Sequence, residues 1–148
     1  MLDFITAAAS LVTALGIFLA FWQLKLTSRI AQLQFEDGLS REYREICTSI
    51  PADVFLGRKL TEEQHRELFD EFYRYIDLSN EQVALRVMNR INKSTWQSWG
   101  DGIKHNLQLP GVQKAWEEIK NATPLFKELR RAEASNFSED PRSWHVRD

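Results

Sequence analysis

Three histidines, one cysteine and several adjacent carboxylates are the residues of this sequence whose chemistry suits metal binding, nucleophilic attack or proton transfer. His65, His105 and His145 are scattered, none with a second histidine or a cysteine at ligand spacing, so the sequence gives no basis for a metal site. Glu62 and His65 form one Glu-x-x-His. A di-iron bundle needs two such motifs plus two more inward glutamates, and this copy falls in the first turn of a helix, where it reads as surface decoration. Cys47 is the single cysteine. It has no partner for an internal disulfide, and its place on the Ile46 and Ile50 side reads as a small buried hydrophobe in a reducing compartment. Glu62-Glu63, Asp70-Glu71 and Glu117-Glu118 are consecutive in helical patterns, so their carboxylates diverge instead of flanking a substrate. Gly100-Asp101-Gly102 has no strand before it and no P-loop lysine after it, and reads as glycines that permit close helix packing or a bend. The expectation is a non-enzymatic protein: no catalytic residue, no metal, no cofactor and no small-molecule substrate.

Three polar or aromatic features ask for another kind of role. Asp77, Asn80, Glu81 and Arg86 lie mid-helix among aromatics, where polar groups must be paired if buried; they read as a structural polar network, with a ligand site as the alternative. Arg86, Arg90 and Lys93, and again Lys127, Arg130 and Arg131, could meet anionic lipid or an acidic partner, although solvated charge is the simpler reading. Trp144 stands in a polar tail, and an aromatic there docks either on its own domain or on a partner.

The elements that must position these residues begin with an apolar run. The chain of 148 residues carries 19 Lys and Arg against 21 Asp and Glu, a net charge of -2 that offers nucleic acid no attraction. Its mean hydropathy is -0.41, so the uncharged segment FITAAASLVTALGIFLAFWQL from Phe4 to Leu24 is a local anomaly. Its length matches the ~20 helical residues that cross a bilayer core, where lipid leaves the backbone no hydrogen-bond partner but itself. Trp22 sits at the interfacial position, with Lys25 and Arg29 beyond it as anchors in water. A cleaved signal peptide fits less well, because the segment before the run carries Asp3 in place of lysine or arginine and no small-x-small site follows. Lys25, Arg29, Arg41 and Arg44 all follow the run, which puts the N-terminus outside and the remainder in the cytoplasm. Ala9, Thr13, Gly16 and Ala20 share one face on which a second membrane helix could approach closely, while Leu11, Leu15, Phe18 and Leu19 suit lipid.

Beyond the anchor, Leu26, Ile30 and Leu33 extend the helix as a stalk to an expected break at Asp37-Gly38. Ser40 would cap a helix whose Leu39, Tyr43, Ile46 and Ile50 form one face, ended by Pro51. Thr61-Glu62-Glu63-Gln64 is a capping box; Leu68, Phe72, Ile76, Val83 and Val87 then continue one face to about Arg90, with Ser79-Asn80 as a point of interruption. Ser94-Thr95-Trp96-Gln97 reads as a second box, ahead of Trp96, Trp99, Ile103 and Leu107. Pro110 opens a helix bearing Val112, Trp116 and Ile119, and Thr123-Pro124 repeats the device before Leu125, Phe126 and Leu129. After Ala134 the periodicity ends. With no strand alternation or hairpin signal, the fold class is all-α: one N-terminal transmembrane helix continuing into a stalk, then a compact bundle of roughly four to five helices. The expected divisions are an anchor over 1–25, a stalk and amphipathic helix over 26–50, a helical cytoplasmic domain over 51–134 and an irregular tail over 135–148.

The series SREYREICTSIP, FYRYIDLSNEQVALR, TWQSWGDGIKHNLQLPGVQKAWEEIK and FKELR, with Asp77, Asn80, Glu81, Trp96, Trp99, Gly102, Pro110 and Trp116 as its distinctive part, resembles a family of small bacterial single-pass membrane proteins. The resemblance covers residues 4 to 134 and implies a bacterial inner-membrane location and a helical cytoplasmic domain. It carries no catalytic or binding residues. The function expected on this reading is a membrane-anchored accessory or scaffold protein. Its partners would be the lipid bilayer and other membrane subunits, or a second copy of itself. The alternative is a sensor or defence-type effector that acts through helix oligomerisation.

Overall fold

The computed structural model describes residues 2–146, with side chains at Thr6 and from Ser10 to Trp144. Ala9 and His145 therefore lie outside the described side chains. The described chain is all helical, with no strand: α1 Leu2–Ser49, α2 Ala52–Phe55, α3 Glu62–Glu67, α4 Phe69–Val87, α5 Lys93–Asn106, α6 Pro110–Ala122, α7 Lys127–Ala134 and a closing 3-10 turn, Pro141–Val146. It divides into two compact units, Met1–Asp37 and Gly38–Asp148.

The first unit is helix throughout its described length. From Leu11 to Phe35 its large apolar side chains are 39% to 72% exposed, and they point to every side of the helix instead of forming one stripe. By length and composition α1 is able to cross a membrane. The break expected at Asp37-Gly38 does not occur. One glycine costs a helix only about 1 kcal/mol, and the good helix formers on both sides outweigh it. Ser40 consequently lies inside a helix and caps none.

In the second unit the end of α1 supplies Leu39 and Ile46, and Ile50 follows directly. Helix α4 is the centre of this unit, packed by α3, α5, α6, α7 and the 3-10 turn. Surrounded in this way, it buries Phe72, Tyr75, Ile76, Leu78, Val83 and Leu85, more than a single amphipathic stripe. Trp116, Phe72, Ile46, Ile76, Ile91 and Leu129 are the largest fully buried side chains, and burying an aliphatic one of them removes apolar area worth about 1.5–3 kcal/mol from water. Gly111 makes one contact of this core. A Cβ there would meet Phe72 Cζ at 3.1 Å and Leu60 Cδ1 at 3.2 Å, so any larger residue must push those side chains aside by a few tenths of an ångström. The glycines expected to pack helices closely behave otherwise: a Cβ at Gly100 would touch only Trp96 of its own helix at 3.4 Å, and one at Gly102 would meet open space.

The capping devices were partly those expected. Thr61 Oγ1 accepts from Gln64 N at 3.3 Å and Gln64 Oε1 accepts from Thr61 N at 3.1 Å, the full reciprocal box. The helix it opens ends at Glu67, and α4 begins at Phe69 after a turn at Leu68. No interruption occurs at Ser79-Asn80, because Ser79 Oγ donates to the Tyr75 carbonyl at 2.8 Å and stays within the helix. Helix α5 is capped by Asn92, whose Oδ1 accepts from Thr95 N at 2.9 Å and from Ser94 Oγ at 2.6 Å, so the expected Ser94 box does not form. Pro110 does open α6. Pro124 opens nothing: Thr123 before it is extended, as a residue preceding proline prefers, and the chain enters α7 only after Phe126 at φ 62°.

Candidate functional site

Four helical residues singled out by the sequence, Asp77, Asn80, Glu81 and Arg86, do not form one network. Arg86 is 2% exposed and reaches the tail: Nε donates to Asp140 Oδ1 at 2.8 Å, Nη2 to Asp140 Oδ2 at 2.6 Å, and Nη1 to the Ile91 carbonyl at 2.8 Å. This bidentate clasp holds the Asp140 carboxyl below its ordinary range, chiefly through the hydrogen bond from Arg86. It also fixes the 3-10 turn. There Trp144 is buried in its own unit, with Nε1 donating to Glu139 Oε2 at 3.1 Å and the Arg131 guanidinium 4.6 Å from its ring centroid. Asn80 turns to α7, where its Oδ1 accepts from Leu129 N at 3.1 Å. It thus does the work of an N-cap from another helix. Asp77 and Glu81 are exposed, and Glu81 is raised by partial burial and then by the nearby charges of Glu42 and Asp77.

The basic clusters also disperse. Arg130 donates to the carbonyls of Leu125, Lys120 and Thr123, tying down the end of α6, while Lys93 and Lys127 are exposed. The Glu-x-x-His splits: Glu62 is exposed and pairs with Lys114 at 2.6 Å, whereas His65 is 3% exposed. His65 is therefore a core residue and not surface decoration. Its ring lies 5.8 Å from Phe72 and its Nδ1 is 3.9 Å from Glu118. His105 is exposed. Among the described residues no three His, Cys, Asp or Glu side chains converge.

What the sequence did not indicate is a cleft of about 310 Å³ in the second unit, between the last turns of α1, α4 and α5. There Asn106 Nδ2 donates to Tyr43 Oη at 3.4 Å. The Tyr43 hydroxyl in turn bonds the Cys47 thiol. Burial raises both phenols and the thiol, so at neutral pH all three stay protonated and Cys47 is a poor nucleophile. Cys47 is half-buried. Gln82 also lines the cleft, 5% exposed and with no hydrogen bond to any described residue. A signal for this site existed in the sequence only as a tyrosine, a glutamine and an asparagine on the apolar faces of three different helices. No periodicity brings those helices together.

On the first unit, Thr13, Gly16 and Ala20 are exposed, and Gly16 has nothing within 4 Å of where a Cβ would stand. Trp22 is exposed, 6.4 Å from Phe18 between ring centroids, and Lys25 Nζ lies 5.8 Å from the Phe21 ring centroid. Arg29 is exposed. Comparison with protein-family models, with characterised proteins and with solved structures finds no match for this chain.

Proposed function

We propose that this chain is a single-pass bacterial inner-membrane protein, with its N-terminus outside and its Gly38–Asp148 unit in the cytoplasm. There it serves as a non-enzymatic accessory or scaffold for a larger membrane assembly. The observation that carries the reading is the apolar surface of α1. Leu11, Val12, Leu15, Ile17, Phe18 and Leu19 are each more than half exposed, and no window of this kind is stable in water without a cover. A bilayer covers every side of such a helix at once, which a single protein groove does not. Lys25 and Arg29 immediately after the run support the orientation. The resemblance to bacterial single-pass proteins supports the location.

Thr13, Gly16 and Ala20 supply the place for a partner, since small residues let two helix backbones approach where lipid gives no hydrophobic drive. The test is purification of the tagged full chain from native membranes in mild detergent, with cross-linking and mass spectrometry, beside a Gly16→Leu variant. A stoichiometric membrane partner, lost in the variant, is the expected result. A chain that purifies alone or only with copies of itself argues for the sensor or effector reading instead, and partners unaffected by Gly16→Leu would move the interface elsewhere.

A further inference from the structure

The geometry points to the cleft between the end of α1, α4 and α5 as a binding site for a small, flat, acidic ligand. Its chemical class is a heterocycle with a hydrogen-bond donor and acceptor on one edge and a phosphate or carboxylate on another. The inference stands independently of whether α1 crosses a membrane.

Gln82 is the first ground. The residue is 5% exposed and lines the cleft, and its carboxamide opens to the cleft and bonds no described residue. A carboxamide shows one acceptor and one donor side by side, the complement of a lactam edge such as that of uracil. The second ground is charge. Arg44 is the one charged side chain lining the cleft; it is exposed and forms no ion pair with any described residue. A cationic mouth over a wall without carboxylates favours an anion. The third is shape. Tyr43, Tyr75 and Trp99 offer flat faces; Tyr75 is buried against the Tyr43 ring, 6.2 Å between centroids, and Asn106 donates to the Tyr43 hydroxyl, which orders that wall. A volume of about 310 Å³ is at the small end for ligand sites, which fits one ring and its acidic group.

Gly102 supplies the decisive variant. It lines the cleft, and a Cβ there meets nothing within 4 Å, so Gly102→Leu fills the cleft without entering the core and replaces a poor helix former with a good one. The experiment is calorimetric titration of the full chain in detergent with uridine 5′-monophosphate, orotate, uridine and inorganic phosphate. Saturable one-to-one binding of the nucleotide or of orotate is expected, and which of the two binds more tightly distinguishes a phosphate from a carboxylate ligand. Removing the acidic group, as in uridine, or the cation, as in Arg44→Gln, should weaken binding about tenfold. Gly102→Leu and Gln82→Leu should abolish it while the melting temperature holds or rises, because Gln82→Leu removes an unpaired amide and not a bond. Absence of binding by every probe, binding that survives Gly102→Leu, or inorganic phosphate binding as tightly as the nucleotide would each overturn the assignment.

Discussion

Asp140→Asn tests how the tail is held. The substitution keeps the shape of the side chain but removes the charge that faces Arg86, whose side chain is 3% exposed against 34% for Asp140. Removing one partner of a fully buried pair costs about 3–5 kcal/mol, because the other charge is left unpaired in a medium that solvates it poorly. Here Asp140 is partly wet, and the Ile91 carbonyl still accepts from Nη1, so about 2–3 kcal/mol is the expected loss. For a unit of about 110 residues this corresponds to a fall of roughly 8–12 °C in melting temperature. The assay is thermal unfolding of the full chain in detergent, followed by near-ultraviolet circular dichroism, which reads the packing of Trp144 and its neighbours. Acid titration gives a second readout. The folded protein holds the Asp140 carboxyl below its ordinary value of 3.8, so its contribution is complete above that value and is lost as pH falls through the lower, folded-state value. The variant should therefore lose less stability than the parent over that acid range. A loss under about 0.5 kcal/mol at neutral pH, the range of an ordinary surface substitution, would refute the clasp as a source of stability.

Glu81→Gln should raise the melting temperature modestly at neutral pH. The folded state raises this carboxyl through partial burial and the charges of Glu42 and Asp77, so the penalty it removes exists above the folded-state value and vanishes below the ordinary 4.5; an unchanged melting temperature at pH 7 would count against that environment. Gly111→Ala should cost about 1–3 kcal/mol by overpacking against Phe72 and Leu60, despite the better helix propensity of alanine, whereas Gly100→Ala, with only an ordinary contact to Trp96, should not destabilise; parallel melts of the two check the contrast. Asn80→Ala should cost about 1 kcal/mol, the usual value of a lost N-cap, with hydrogen exchange quickened at the Leu129 amide in particular.

Features that depend on near neighbours in sequence were the legible ones. The Thr61 to Gln64 box and Pro110 at the start of α6 each act within one or two turns, and the apolar run of α1 is one uninterrupted stretch of neighbours in sequence; each is found in the helices. Local cues failed where two of them compete over a few residues. Asn92 stands two positions ahead of Ser94 and takes the cap, and the propensity of the residues around Gly38 overrides the glycine. Long-range pairing was not legible at all. Arg86 and Asp140 are 54 positions apart, Asn80 and Leu129 are 49 apart, and nothing in the spacing of α4 says which polar residue faces α7, the tail or solvent. His65 reads as solvated from its place in a first turn; it is buried because Phe69 and Phe72 flank it on the same side. The cleft is the extreme case, since Tyr43, Gln82 and Asn106 acquire meaning only once three helices meet.

The span of α1 is the central claim, and topology mapping tests it most directly. The full chain, tagged at its C-terminus and expressed in bacterial cells, is subjected to alkaline extraction of the membranes, then to protease treatment of intact spheroplasts and of inverted vesicles. The expected result is retention in the alkali-washed membrane, protection of the Gly38–Asp148 unit in spheroplasts and its digestion in inverted vesicles. Release into the alkaline supernatant would contradict the span, and digestion of that unit from the outer side of spheroplasts would contradict the orientation.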